Sequence, residues 1–120
     1  MQCKYRVVVS IDGGGIRGVL PLRIIEYIQK EISCYDETLN PSSWVDIYAA
    51  TSTGTIISGA LMLKNEFGKN KYSPSDIMNL YLKRGEQIFA NNPKKLNPNN
   101  HYPLHFVLNY FFGNTTLDQL

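Results

Sequence analysis

Disulfide chemistry, bilayer-spanning helices and a strong charge of either sign are all missing from this sequence. It holds two cysteines, Cys3 and Cys34, in 120 residues. Neither their number nor their spacing makes a disulfide framework or a CxxC motif. Two reduced thiols and a cytoplasmic location are the expectation. The apolar run Val7-Val8-Val9 is too short for a secretory leader, and Asp12 follows almost at once. No stretch is long enough to cross a membrane. The formal net charge is +2, too mild to argue for nucleic acid, and the one Lys pair, Lys94-Lys95, is expected on a solvated loop. There is no internal repeat. The single biased segment, Asn91 to Asn100, reads as a polar loop.

What is present is enough for a packed core: 43% of the residues are apolar and 18% charged. One domain at most is expected. Tyr5 to Ile11 is β-branched and almost continuously apolar, which suits a buried strand of a parallel sheet. After the glycines a helix is expected from Val19, with Pro21 in its first turn and Leu20, Ile24, Ile25, Ile28 and Ile32 on its apolar side. Tyr35 to Ser43 reads as loop, Trp44 to Ala50 as a second strand, and Thr53 to Asn65 as a helix. Within that helix Gly59 suggests close contact with the sheet. Ser73, Pro74 and Asp76 give the start signals of another helix, whose inner face should carry Ile77, Leu80, Tyr81, Arg84 and Ile88. A last short helix should end before Gly113. The layout is α/β with two parallel neighbouring strands joined by a right-handed connection. Two strands make a poor sheet, so residues 1–120 look like the opening portion of a larger domain.

Two short motifs carry the chemistry. Gly13, Gly15 and Gly18 spell G-x-G-x-x-G in "DGGGIRG". Such a loop can cradle a pyrophosphate, but that use wants an acidic residue at the end of the second strand. Asp36 and Glu37 come too early. At the end of the second strand stands Ser52, within Ala50-Thr51-Ser52-Thr53-Gly54. A serine on a strand-to-helix turn, flanked by small residues at Ala50 and Gly54, has the form of a nucleophile elbow. The turn lifts the hydroxyl out of the sheet and sets the Thr53 N–H beside it. If the two strands are parallel neighbours, Gly13, Gly14 and Gly15 lie next to Ser52 and can offer N–H groups to an oxyanion. The helix that begins near Gly18 adds its positive end. Arg17 could hold the loop or the anionic head of a substrate. The residues alone leave a serine hydrolase and a nucleotide-binding module both open.

Asp12 to Gly18 together with the segment around Ser52 resembles the patatin-like phospholipases. The match runs from Val7 to Leu63, and Tyr72 to Phe89 is similar in character to the helix that follows in that family. The resemblance implies a three-layer α/β/α sandwich with a mainly parallel sheet and lipid acyl hydrolase activity on phospholipids or galactolipids. It also implies a Ser–Asp dyad, no metal or other cofactor, and transient contact with a membrane or micelle surface. Ser52 matches the family nucleophile, Gly13 to Gly15 the oxyanion loop and Arg17 its basic position. Two departures stand out. The elbow opens with Ala50 where the family usually has Gly. No D-G-[GA] motif occurs between Gly54 and Leu120; neither Asp76 nor Asp118 is followed by Gly. The catalytic Asp is therefore expected outside this stretch, in a C-terminal part of the domain.

Three rivals compete with this reading. A Ser–His–Asp triad would have to use His101 or His105, after an elbow preceded by only one strand. The His101–His105 spacing resembles a metal motif but lacks an adjacent Glu and contains Pro103. A nucleotide-binding module is the second rival, and a catalytically inert fragment or a regulatory, lipid-binding module is the third. "YFF" at Tyr110 to Phe112 and "ALML" at Ala60 to Leu63 could touch lipid, with core packing the expected fate of both.

Overall fold

The computed structural model describes residues 5–89 and 103–119. Cys3, the Asn91 to Asn100 segment with Lys94-Lys95, and His101 lie outside the described residues. The chain runs β1 (Val8–Ile11), a 3-10 turn (Gly15–Gly18), α1 (Val19–Ser33), α2 (Pro41–Trp44), β2 (Ile47–Ala50), α3 (Thr53–Met62), α4 (Pro74–Ile88), α5 (Pro103–Phe112) and a 3-10 turn (Leu117–Gln119). The α/β class stands. β1 and β2 pair in parallel, Val8 beside Ile47 and Ile11 beside Ala50.

Both strands are shorter than their apolar runs, and they are not buried throughout. Ile11 is buried at 3% exposure, but Val8 is 57% and Ile47 55% exposed. Among the described residues the sheet has two strands, and these side chains look out from it uncovered. Asp46 pins the entrance: its carboxylate accepts the Val7 N–H and the Arg6 guanidinium, each at 2.8 Å. The Val7 N–H, then Arg6, hold this carboxyl below its usual value.

α1 covers the expected residues but turns a different side inward. Leu22 and Ile25 are buried, while Leu20 and Ile24 are 66% and 60% exposed. The inward row is Leu22, Ile25, Glu26 and Gln29, spaced three and four apart. Its polar members have partners. Glu26 accepts from Ser75 at the start of α4, and Gln29 accepts the Trp44 indole N–H at 2.8 Å and donates to the Leu39 carbonyl at 2.7 Å. Satisfied hydrogen bonds let these polar groups face inward, which an apolar count cannot see.

α2 replaces part of the expected loop and takes Trp44 out of the second strand. Ser43 Oγ accepts the Asn40 N–H at 2.8 Å, and Pro41 opens the helix. α3 is almost wholly buried, with Ile57, Ala60 and Leu61 at 0% exposure, so most of "ALML" is core. Gly59 meets Phe112 of α5, not the sheet: a Cβ there would lie 3.0 Å from its ring. α4 starts as expected. The Asp76 N–H donates to Ser73 Oγ at 3.1 Å, and Asp76 Oδ2 accepts the Ser73 N–H at 2.8 Å. Ile77 and Tyr81 are fully buried. Arg84, expected on the inner face, is exposed and stands over the Phe106 ring, 5.6 Å from its centre. α5 inserts Val107 and Phe111 into the core, while Tyr110 stays outside. Filling the core with Leu22, Ile57, Leu61, Ile77, Tyr81 and Phe111 stabilises by about 1.5–3 kcal/mol per side chain.

Candidate active site

Parallel pairing in this register brings the C-terminal ends of β1 and β2 to one rim. After Ile11 the backbone enters the glycine loop; after Ala50 it enters Thr51, Ser52 and α3. The two bends touch. The Gly13 N–H donates to Thr51 Oγ1 at 2.9 Å, and the Thr51 N–H donates to the Ile11 carbonyl at 3.2 Å. A methyl group on Gly13 would lie 2.6 Å from Ser52 Cβ and 3.4 Å from Ser52 Oγ. Only glycine permits that approach.

Ser52 has φ 51° and ψ −125°. Among the described residues no other non-glycine residue has positive φ. Such a conformation costs on the order of 1–3 kcal/mol and persists only where its surroundings impose it. Here they do. The Gly54 N–H donates to the Thr51 carbonyl at 2.9 Å, and the Thr55 N–H to the Ser52 carbonyl at 3.0 Å. Gly54 lies so close to β1 that a Cβ would run into the Ile11 carbonyl oxygen and come within 3.0 Å of Ile11 Cγ2. The turn is pressed against the neighbouring strand, and the Ser52 side chain is left exposed with no bond to its own helix. Ala50, half-buried at the end of β2, still sits in strand geometry, so its methyl group is accommodated.

The N–H groups around Ser52 differ in availability. The Gly13 N–H is engaged with Thr51. Gly15 opens the 3-10 turn and Thr53 opens α3; a helix's first N–H groups have no intrahelical acceptor. Gly14 precedes Gly15 on the same loop, and its carbonyl is tied down by Arg17, through the backbone N–H at 3.1 Å and Nε at 3.3 Å. Arg17 therefore braces the loop, with its side chain exposed. Gly18 is buried where the loop meets α3 and α4; a Cβ there would lie 2.9 Å from Ile57 and 3.1 Å from Tyr81.

Two residues join the rim that the sequence did not mark as part of it, although Tyr81 was expected on the inner face of α4. Thr51 supplies the hydroxyl that joins the two bends. Tyr81 reaches up from α4, its hydroxyl 2.7 Å from Thr53 Oγ1. Burial raises the Tyr81 phenol above its ordinary value, against a smaller opposing effect of the Thr53 hydrogen bond. It is neutral at any ordinary pH. The available signal was a tyrosine four residues after Ile77, expected on the inner face of the helix with Leu80 and Ile88. Among the described residues no carboxylate or imidazole is hydrogen-bonded to Ser52, and His105 lies exposed on α5. Nor, among them, do three His, Cys, Asp or Glu side chains gather as a metal site. The acidic residue that a dinucleotide site wants at the end of β2 is not there; Thr51 and Ser52 occupy that place.

No family model matches the chain. Individual proteins do. Patatin-like protein 2 of Arabidopsis thaliana is 33% identical over 97 residues, 80% of this chain and 22% of the relative. Patatin-like protein 4 of the same plant is 32% identical over 124 residues, 93% of this chain and 31% of the relative. Patatin-17 of Solanum cardiophyllum is 31% identical over 93 residues, 76% of this chain and 24% of the relative.

The chain belongs to the patatin-like family. This patatin-like chain spans between about a fifth and a third of the length of these curated relatives. Among the described residues no helix is long and apolar enough to cross a membrane.

Proposed function

We propose that this patatin-like chain carries the nucleophile and oxyanion-binding part of a serine lipid acyl hydrolase. The remainder of a three-layer α/β/α domain completes it and supplies the base, an aspartate in the dyad that the family resemblance implies. The observation that carries the reading is the contact between Gly13 and Ser52, with Ser52 held at positive φ and its hydroxyl unclaimed by α3.

The reaction is acyl transfer. Ser52 Oγ attacks the ester carbonyl carbon and gives its proton to the base. The carbonyl oxygen becomes an oxyanion, bound by the N–H groups of Gly14, Gly15 and Thr53 beside the positive end of α3. Gly13 shapes the wall of that pocket; its own N–H stays with Thr51. The C–O bond breaks and the alcohol leaves with the proton. Water then attacks the acyl-serine, losing a proton to the base, and the fatty acid departs as Ser52 Oγ is reprotonated. The substrates are fatty-acyl esters of phospholipids or galactolipids, met at a membrane or micelle surface, and no cofactor takes part.

Ester hydrolysis by the full-length protein tests this. Ser52→Ala should lower turnover by on the order of 10⁴-fold or more with the circular dichroism spectrum unchanged. Undiminished turnover by that variant would remove the nucleophile. The 120-residue chain by itself should be nearly inert beside the full-length protein.

A further inference from the structure

From the way α4 meets the rim, we infer that this helix fixes the oxyanion loop, with Tyr81 and Gly85 as positioning residues; the inference rests on the acyl-hydrolase reading above. Ile77, Tyr81, Gly85 and Phe89 recur every fourth residue, so they form one row along α4 and its C-terminal end. That row faces the rim. Tyr81 OH bonds to Thr53 Oγ1 at 2.7 Å, and Thr53 supplies one of the oxyanion N–H groups. The Tyr81 ring also lies against Gly18, where a Cβ would be 3.1 Å away.

One turn further on, the side chain of Ile16 from the glycine loop enters a hole that exists because residue 85 has no side chain. A Cβ on Gly85 would overlap Ile16 Cδ1 and lie 3.1 Å from Ile16 Cγ1. Gly85 is buried even though it sits mid-helix, where glycine costs roughly 0.5–1 kcal/mol relative to alanine. A further turn on, the Phe89 ring underlies Gly15, 3.6 Å from where its Cβ would stand, and packs 5.6 Å from the Tyr81 ring, centre to centre. Three successive contacts of one helix thus bear on Thr53, Ile16 and Gly15. The elbow and the glycine loop come from strands far apart in sequence, and α4 touches both. The Tyr81 hydroxyl bonds to Thr53 and Gly85 has no side chain, so neither offers a group to the reacting atoms. Their effect on catalysis runs through where the N–H groups sit.

The test is steady-state kinetics of the full-length protein on a p-nitrophenyl fatty ester in mixed micelles. Gly85→Ala should push Ile16 out of its hole and lower kcat on the order of 100-fold, the effect of an ångström-scale displacement of catalytic groups. KM should stay within about twofold, because the lost interaction is made mainly in the transition state. Ile16→Val removes the overlapping methyl group, so Gly85→Ala combined with Ile16→Val should return kcat to within about threefold of Ile16→Val alone. Tyr81→Phe keeps the ring and loses only the hydroxyl; kcat should fall on the order of fivefold at unchanged KM. Should Gly85→Ala fail to fold, Tyr81→Phe still decides. An unchanged kcat in Tyr81→Phe, or a Gly85→Ala defect that Ile16→Val does not relieve, would overturn the brace. Those results would leave the nucleophile standing, whereas an active Ser52→Ala would strike the underlying reading instead.

Discussion

Two serines open two helices in this chain, and they do opposite things. Ser73 precedes α4 with φ −78° and ψ 160°, ordinary extended backbone, and its hydroxyl accepts the Asp76 N–H. Ser52 precedes α3 with φ 51°, and its hydroxyl bonds to nothing in its helix. Serine is favoured at both positions for the same reason, as an acceptor for orphan N–H groups. At Ser73 the side chain stabilises the fold. At Ser52 the fold forgoes that stabilisation and adds backbone strain, and the result is a hydroxyl held out beside the glycine loop. Strain of this kind points to function when it is observed, and here the neighbouring contacts show what imposes it.

The comparison can be broken most forcefully at Gly54. If the Ser52 turn is imposed by contact with β1, Gly54→Ala should destabilise the protein by about 1–3 kcal/mol, because the methyl group must displace the Ile11 carbonyl. Urea unfolding of the full-length protein measures this, and an unchanged midpoint would mean the turn is not under that pressure. A smaller effect separates the serines themselves. Ser73→Ala removes a working cap and should cost about 1 kcal/mol with ester hydrolysis retained. Ser52→Ala breaks no cap bond and should leave the unfolding midpoint where it was. Equal stability losses in the two variants would erase the distinction.

The smallest effect concerns the entrance to the sheet, away from both serines. Asp46 is held below its usual 3.8, first by the Val7 N–H and then by Arg6. A depressed carboxyl stabilises the folded state above its unfolded value and loses that contribution as the pH falls through its folded value. Asp46→Asn should therefore flatten the acid side of the stability profile below pH 3.8 while leaving the rim's chemistry alone. An unaltered acid limb would show that the carboxylate contributes nothing there.

The rim was legible in the sequence because its demands are local and unusual. A triple glycine after an apolar run and a serine between small residues each report a backbone constraint, and parallel pairing was enough to set them side by side. The Ser73-Pro74-Asp76 start was legible for the same reason. What lay hidden depends on partners distant in the chain. On the inward side of α1, beside Leu22 and Ile25, Glu26 meets Ser75 and Gln29 meets Trp44; a count of apolar residues placed Ile25 correctly but missed Leu22 and put Leu20 and Ile24 on the same side. Gly59 announced a close approach but not its partner, Phe112 of α5. The Gly13 N–H was expected to serve an oxyanion, yet the Thr51 hydroxyl takes it. Nothing in the sequence marks Gly85 as the place that the Ile16 side chain occupies.

The most direct test of the central claim is to treat the full-length protein with a fluorophosphonate ester and map the adduct by peptide mass spectrometry. The hydroxyl lifted out at the end of β2 should carry the phosphonyl group, on the peptide containing Ser52 and on no other serine, and Ser52→Ala should abolish labelling. An adduct on a different serine, or full labelling of Ser52→Ala, would contradict the account.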